Sequence, residues 1–351
     1  MVMDERSQTD RSQSEKANND TIIRVASYHR RDFDLAVINT NPSDHEQVRS
    51  SMNGTTCFPS VNIGRLDCLP LEIILEICLL LDIRSLFRFR QVNRRAQRIV
   101  STVRGYRETI AYALEALCVI LRMKIAPHFT LHDLFSVLCT RDCLVCGSFG
   151  GFVFLPTLMR CCFSCIRGNH LPPVMSVANA KRLVNLSSTH LLKSIPVIKT
   201  IPGIYSLDEK PQKRAMRIVA KEHIAGIQRC QINEEAQQIR PKNSSLLYYM
   251  VSIALPYLDT TSGDIQSGVC CSGCQVALEE ALRISRVEAN AFTLRDKVYS
   301  HDGFVEHFHK CRKAQSLLAL SKSGTGIAKI SESVRRGGYF NKREVIMSFG
   351  R

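Results

Sequence analysis

Leu69-Pro-Leu-Glu-Ile-Ile-Leu-Glu-Ile-Cys-Leu-Leu-Leu81 decides how this chain is read. Proline suits the start of a helix, where its missing N–H has no intrahelical bond to lose, so the spacing predicts a helix opening beside Pro70. At about 100° per residue, Glu72 and Glu76 share one narrow stripe. Leu71, Ile73, Ile74, Leu75, Ile77, Cys78, Leu79, Leu80 and Leu81 cover nearly everything else. A helix apolar almost all round is expected to be buried on several sides. This one is shorter than the roughly 20 residues of a membrane span. Further on, Ile83, Leu86, Phe87, Val92, Ala96, Ile99 and Val100 are interleaved with Arg88, Arg90, Arg94, Arg95 and Arg98, an ordinary amphipathic pattern. A central helix of a larger domain is the plain alternative. The preceding arm is polar and the following helices are short and basic, so an external apolar partner is the better account.

These residues also carry a resemblance. Leu69-Pro70-x-Glu72-Ile73, then Leu81-Asp82-x-x-Ser85-Leu86, then Arg90-Gln91-Val92-Asn93-Arg94-Arg95 resembles an F-box, a three-helix unit of the kind that docks on the Skp-type adaptor of a cullin ubiquitin ligase. The resemblance runs through all three helices in order, over about residues 65–105. It departs where Ala96-Gln97 replace the usual aromatic. Carried over by position, it implies that Leu69, Pro70, Ile74, Ile77, Leu86 and Val92 lie at or support the adaptor interface. It also implies that the rest of the chain selects an as yet unidentified protein substrate, without catalysing anything itself.

Cys143-Leu-Val-Cys146-Gly147 and Cys162-Phe-Ser-Cys165 have the spacing of a four-cysteine zinc site. A CxxC turn brings two thiolates onto one edge of a tetrahedron, and its backbone N–H groups can hydrogen-bond the sulfurs. Gly147 allows the sharp turn after the first pair, and the intervening Gly150-Gly151-Phe-Val-Phe-Leu155 reads as a strand-bearing arm. Cys161 is an alternative to Cys162 as third ligand. Buried structural thiols are the plainer reading, but two separated pairs favour a metal over that and over a redox thiol. A second set, Cys271-Ser-Gly-Cys274 with His307-Phe-His-Lys-Cys311, offers three thiolates and an imidazole. Cys270, His301 and His309 remain alternatives there. Many fungal F-box proteins look similar, with a Cys-pair region after the F-box and a C-terminal CxxC…HFxxC element.

The whole chain, 351 residues with 45% apolar residues and 15 cysteines, can bury a core. Its formal charge of +15 suggests acidic partners. The polar N-terminus has no secretory signal, so the cysteines are expected to stay reduced in a cytoplasmic or nuclear setting, with no membrane partner. No phosphate loop, dinucleotide turn or HExxH helix appears, so common cofactor chemistry beyond zinc has no support. The fold class expected is mainly α: a three-helix F-box unit followed by a mostly helical C-terminal region with small zinc-stapled elements. Residues 1–64 read as a disordered polar arm and 65–105 as the F-box. Residues 106–180 read as a helical region with the first Cys set, 181–321 as a helical region with the second, and 322–351 as a flexible basic tail. Helical patterns recur at Tyr106–Ile125, Leu131–Leu138, Gln212–Gln238, Val276–Arg286 and Ala314–Ser321. The rival reading is a zinc-containing nucleic-acid-binding protein in which the Leu69–Val100 helices are only core; separately, the basic and aromatic stretch Arg335–Arg343 is a candidate nucleic-acid contact or nuclear address. A solvated tail is the commoner meaning of such a stretch, and nucleic acid is not the expected partner.

Overall fold

Two short polar side chains set the turns between the first three helices after Pro70. Asp82 accepts from the Ser85 N–H at 3.0 Å and from its hydroxyl at 2.6 Å, opening the helix Ile83–Arg90. Asn93 accepts from the Ala96 N–H at 2.9 Å and opens Arg94–Thr102. Each satisfies an amide that the first turn of a helix leaves without a partner. The helix before them, Leu71–Leu80, directly follows Pro70. Ala96, which stands in place of an aromatic, is fully buried in the packing of the third helix.

The structure, a computed structural model, describes residues 14, 16–53, 62–184, 195–225, 244–321 and 331–340. The chain forms two units, Asp34–Ile265 and Met1–Phe33 with Gln266–Arg351. Helices predominate and the sheets are small.

In the unit Asp34–Ile265, the three helices run on into Tyr106–Tyr112, Leu114–Arg122 and Leu131–Leu138. The single helix expected over Tyr106–Ile125 breaks at Ala113, whose backbone leaves the helical region. The Ile83 N–H donates to the Phe129 carbonyl at 2.8 Å, tying the second helix to the turn before Leu131–Leu138. A three-stranded sheet places Phe152–Phe154 between Met159–Cys161 and Ser252–Ala254, antiparallel on both sides. A second sheet centres Arg217–Ala220 between Val174–Ser176 and Ile198–Lys199. The helix expected over Gln212–Gln238 is therefore corrected: Lys210–Gln212 and Arg217–Ala220 are strands, and among the described residues of that range only Lys221–Ala225 is helical. Residues 226–243 lie outside the described residues. Ile218, Val219 and Ala220 are all buried. A central strand covered on both faces shows no polar alternation, which is why it reads as part of a helix.

The polar arm also needs correction. Residues 16–26 are helical, and Arg31–Ala36 and Glu46–Asn53 are helices. Ile22 and Ala26 are buried in one unit, and Ala36, Val37 and Ile38 in the other. Ile38 donates to the Ser252 carbonyl at 2.9 Å, and Arg49 pairs with Glu115 at 2.9 Å. A few apolar residues in a polar stretch suffice when tertiary partners complete their burial. Composition averaged over sixty residues hides them.

In the unit Met1–Phe33 with Gln266–Arg351, Ser27–Tyr28 pairs with Cys270–Cys271, and Ser272–Arg283, His301–Phe308 and Arg312–Leu320 supply helices. Arg30 is buried, bound to both oxygens of Asp32 at 2.7 Å and to Asp296 at 2.8 Å. Part of the expected free tail packs here. Glu332–Arg336 is a helix, the Asp32 N–H donates to the Gly337 carbonyl at 3.2 Å, and Tyr339 N–H donates to the Asp32 carboxylate at 3.2 Å. Gly338 has φ +128°, and a Cβ there would collide with that carboxylate. Residues 322–330 and 341–351 lie outside the described residues.

Asp82→Ala should lower stability by about 1 kcal/mol, the usual worth of such a cap, read by chemical denaturation at neutral pH. Burial pulls the Asp82 carboxyl up, and its bonds from Ser85 outweigh that and hold it below its usual value. The contribution is then present above the unfolded value of about 3.9 and fades as pH falls through the lower folded value, so wild type and variant should converge in acid.

Candidate metal centres and docking face

The first cysteine set is assembled by a turn and a hairpin. Cys143 N–H donates to Ser148 at 2.7 Å and Gly147 N–H to Cys143 at 2.9 Å, closing the turn that carries Cys143 and Cys146. Gly147 takes φ +70°, as that turn requires. The hairpin Phe152–Phe154 with Met159–Cys161 then delivers the chain to Cys162, whose sulfur caps the short helix Phe163–Arg167 by accepting the Cys165 N–H at 3.4 Å. Sulfurs of Cys143 and Cys165 lie 3.8 Å apart, and those of Cys146 and Cys162 3.5 Å. A metal held by four thiolates at about 2.3 Å has sulfur–sulfur edges of about 3.8 Å, so the set fits one ion. Cys162, not its fully buried neighbour Cys161, joins the set. Its hydrogen bond to Cys162 chiefly draws the Cys143 thiol down to about 4, while burial pushes Cys165 up to about 12.

The second set repeats the device. The short strand Cys270–Cys271 ends at Cys271, whose sulfur caps Ser272–Arg283 by accepting the Cys274 N–H at 3.4 Å. Cys311 stands at the head of Arg312–Leu320, its sulfur 3.8 Å from that of Cys271. His307, in the last turn of His301–Phe308, brings Nε2 to 3.4 Å from the Cys274 sulfur. Ligand atoms of Cys271, Cys274, His307 and Cys311 all lie within 4.8 Å of one another. Cys270 turns instead into a cluster with Tyr28 and Val334, and His309 sets its ring against Phe308.

Two residues that the sequence reading did not single out build this second centre. A Cβ on Gly273 would sit 2.3 Å from the Ala314 nitrogen, so only glycine lets Ser272–Arg283 approach Arg312–Leu320 closely enough for Cys274 and Cys311 to meet. Its place inside the Cys-x-x-Cys turn was the available signal. Tyr299 stacks on the His307 ring at 4.8 Å, and its hydroxyl lies 3.2 Å from Nδ1. That bond suits a tautomer with the proton on Nδ1, leaving Nε2 to bind a metal. No local sequence pattern links residues 299 and 307.

The candidate docking face lies on the first helix after Pro70. Ile74 and Cys78, one turn apart, are its only fully buried side chains. Leu71, Ile73, Ile77 and Leu80 are 40–81% exposed, and Leu66, Leu69 and Val92 are exposed as well. Burial on several sides is thus not provided by the described residues of the chain. Comparison with family models matches residues 66–108 to the F-box domain. These residues are an F-box domain. No curated protein and no solved structure matches the chain. F-box domains serve in general as protein-interaction modules of ubiquitin-ligase adaptors, typically in chains that are not themselves catalytic.

Within this F-box, the six residues implied by position divide. Leu69, Pro70, Ile77 and Val92 are at the surface, while Ile74 and Leu86 are buried. Leu66, Leu71, Ile73 and Leu80 extend the exposed apolar area beyond that set.

Gly273→Ala should disrupt the second centre and spare the first, lowering bound metal from about two ions per chain to about one, by four-ligand stoichiometry, in elemental analysis. His307→Ala should do the same, and His309→Ala should not. Tyr299→Phe should keep the ion but weaken its affinity by about tenfold, the low end for loss of such an orienting bond, measured by competition with a chromophoric chelator.

Proposed function

We propose that the chain is the substrate receptor of an SCF-type cullin ubiquitin ligase, docking through its F-box on a Skp-type adaptor, with zinc as the ion of both cysteine sets. The observation that carries this reading is the exposed apolar face of the helix Leu71–Leu80, within an F-box domain. Burying one Leu or Ile side chain contributes roughly 1.5–3 kcal/mol. Several of them on one face supply the driving force for a stable complex, and none of the described residues of the chain realises it.

The work of such a receptor is positional. It holds a target beside a ubiquitin-transfer enzyme and so raises effective concentration, without lowering a chemical barrier through its own side chains. Closed sets of four protein ligands suit a structural ion, because they leave no position for water or substrate. Zinc fits them by chemistry: three or four thiolates, tetrahedral spacing, and no redox demand. It would supply folding free energy to the hairpin at residues 143–165 and to the junction of residues 271–311. The setting proposed is cytoplasmic, nuclear or both.

Ile73→Asp with Ile77→Asp, on side chains already facing water, should leave helix content and metal content unchanged. Adaptor affinity should fall by about 3 kcal/mol or more, since the complex would bury unpaired charge. Calorimetric titration of the purified chain with a Skp-type adaptor reads this, and undiminished binding by the folded variant would sink the assignment. A strong chelator should lower the thermal unfolding midpoint and release zinc. Unchanged unfolding with no zinc in the untreated protein would remove the structural role of the ion.

A further inference from the structure

A second apolar surface lies in the unit Met1–Phe33 with Gln266–Arg351, at the C-terminal end of the helix whose first turn carries Cys274. The helices Ser272–Arg283 and Ala291–Asp296 pack together and are joined by residues 284–290. The base of this element is held firmly. Asp296 is bound by Arg30 at 2.8 Å and Arg295 at 2.7 Å, and the Arg295 guanidinium lies 5.4 Å from the Phe292 ring and 5.5 Å from that of Tyr339. Its tip is in water. Leu282, Ile284, Val287, Phe292 and Leu294 are all 36–66% exposed within thirteen residues. A contiguous run of that kind on a pinned scaffold is a mark of an interaction surface.

The charges around it indicate what it takes. Glu280 is engaged by Lys313, and Glu279 accepts from Gln275 at 2.7 Å and from Ser333 at 2.6 Å. Arg283 and Arg286 are exposed and have no side-chain partner among the described residues, and within residues 282–294 the one acid is Glu288. Free guanidiniums beside aliphatic and aromatic anchors are the composition of binding hot spots. Aliphatic anchors offer little to a nucleic acid, whose recognition rests on many phosphate contacts and on stacking.

We propose that Leu282–Leu294 is a docking surface for an acidic peptide segment carrying apolar anchors. This rests on the receptor reading only in identifying that segment with the substrate; the surface itself stands without it.

The test uses the full-length, metal-loaded chain and three labelled synthetic peptides of roughly four helical turns, with anchors at the spacing of a groove-binding helix. The first pairs Leu and Phe anchors with Glu elsewhere, the second replaces Glu by Lys, and the third replaces the anchors by Ser. Fluorescence anisotropy should show binding of the first peptide only. Arg283→Glu with Arg286→Glu, and separately Leu282→Ser with Ile284→Ser, should each weaken it by about tenfold or more, and the charge-reversed variant should gain affinity for the Lys peptide. These side chains face water, so metal content and thermal unfolding should not change.

Failure of the first peptide to bind, equal binding of the second or third, or variants without effect would overturn the proposal. So would displacement of the peptide by single-stranded RNA through the same arginines, or a wild-type dimer that Leu282→Ser with Ile284→Ser converts to monomer. Binding that appears only after deletion of residues 341–351 would make the surface a seat for the chain's own terminus, and would also overturn it. Adaptor binding is measured on the same samples. Its absence beside intact peptide selectivity would overturn the receptor reading alone.

Discussion

Thiol sulfurs held 3.5–3.8 Å apart in a mostly buried shell are the constraint on which both units depend. The bond between Cys143 and Cys162 pulls the first thiol down and drives the second up; in the other set, bonds with Cys274 and then Cys311 drive Cys271 up, while the bond with Cys271 holds Cys311 down. A divalent ion held by either set would replace several thiol protons at once and turn crowding into coordination. The surrounding elements are arranged to bring about this crowding: a hairpin in one unit, and two helices meeting over Gly273 in the other.

Both centres use the same local device. A short strand leads into a cysteine, at its last residue in Cys271 and one residue beyond it in Cys162; that cysteine caps the next helix with its sulfur, and the second cysteine of the pair sits in the helix's first turn. The amide that would otherwise lack a partner at the helix start is thereby satisfied by a ligand atom, so helix initiation and ligand placement are one event. The centres differ in how their other two ligands arrive. Cys143 and Cys146 come from a turn about twenty residues away in the chain. Cys311 and His307 come from beyond a long insert, and they depend on Tyr299 and Ala314 for their placement.

The apolar excess of the F-box helix and the apolar tip at Leu282–Leu294 pose a similar energetic question at two places. In each, a well-anchored element presents large aliphatic side chains to water. The anchors differ in kind. Ile74 and Cys78 pack the first against its neighbours, whereas buried charge pairing between Arg30, Asp32 and Asp296 holds the second. Breaking such a buried pair leaves an uncompensated charge, so the second element is rigidly based even though its surface is open.

Sequence alone determined the features that depend on spacing over one or two turns. The helix after Pro70, the order of the F-box helices, the Cys-x-x-Cys pairs and the strand at Phe152 were legible because each is a local pattern with a local physical cause. Only the tertiary structure decided between Cys161 and Cys162, Cys270 and Cys271, and His307 and His309. Adjacent residues share a sequence context, and their directions are set by strand register and helix phase. It alone made Arg217–Ala220 a central strand, since burial on both faces erases the alternation that marks a strand. It alone ordered residues 16–53 and 331–340, whose few apolar groups gain their burial from segments more than two hundred residues away, at Ile253 for Ile38 and at Asp32 for Gly337. It also separated the F-box residues that face outward from Ile74 and Leu86 behind them, because a helix apolar all round carries no mark of which side its own chain will cover.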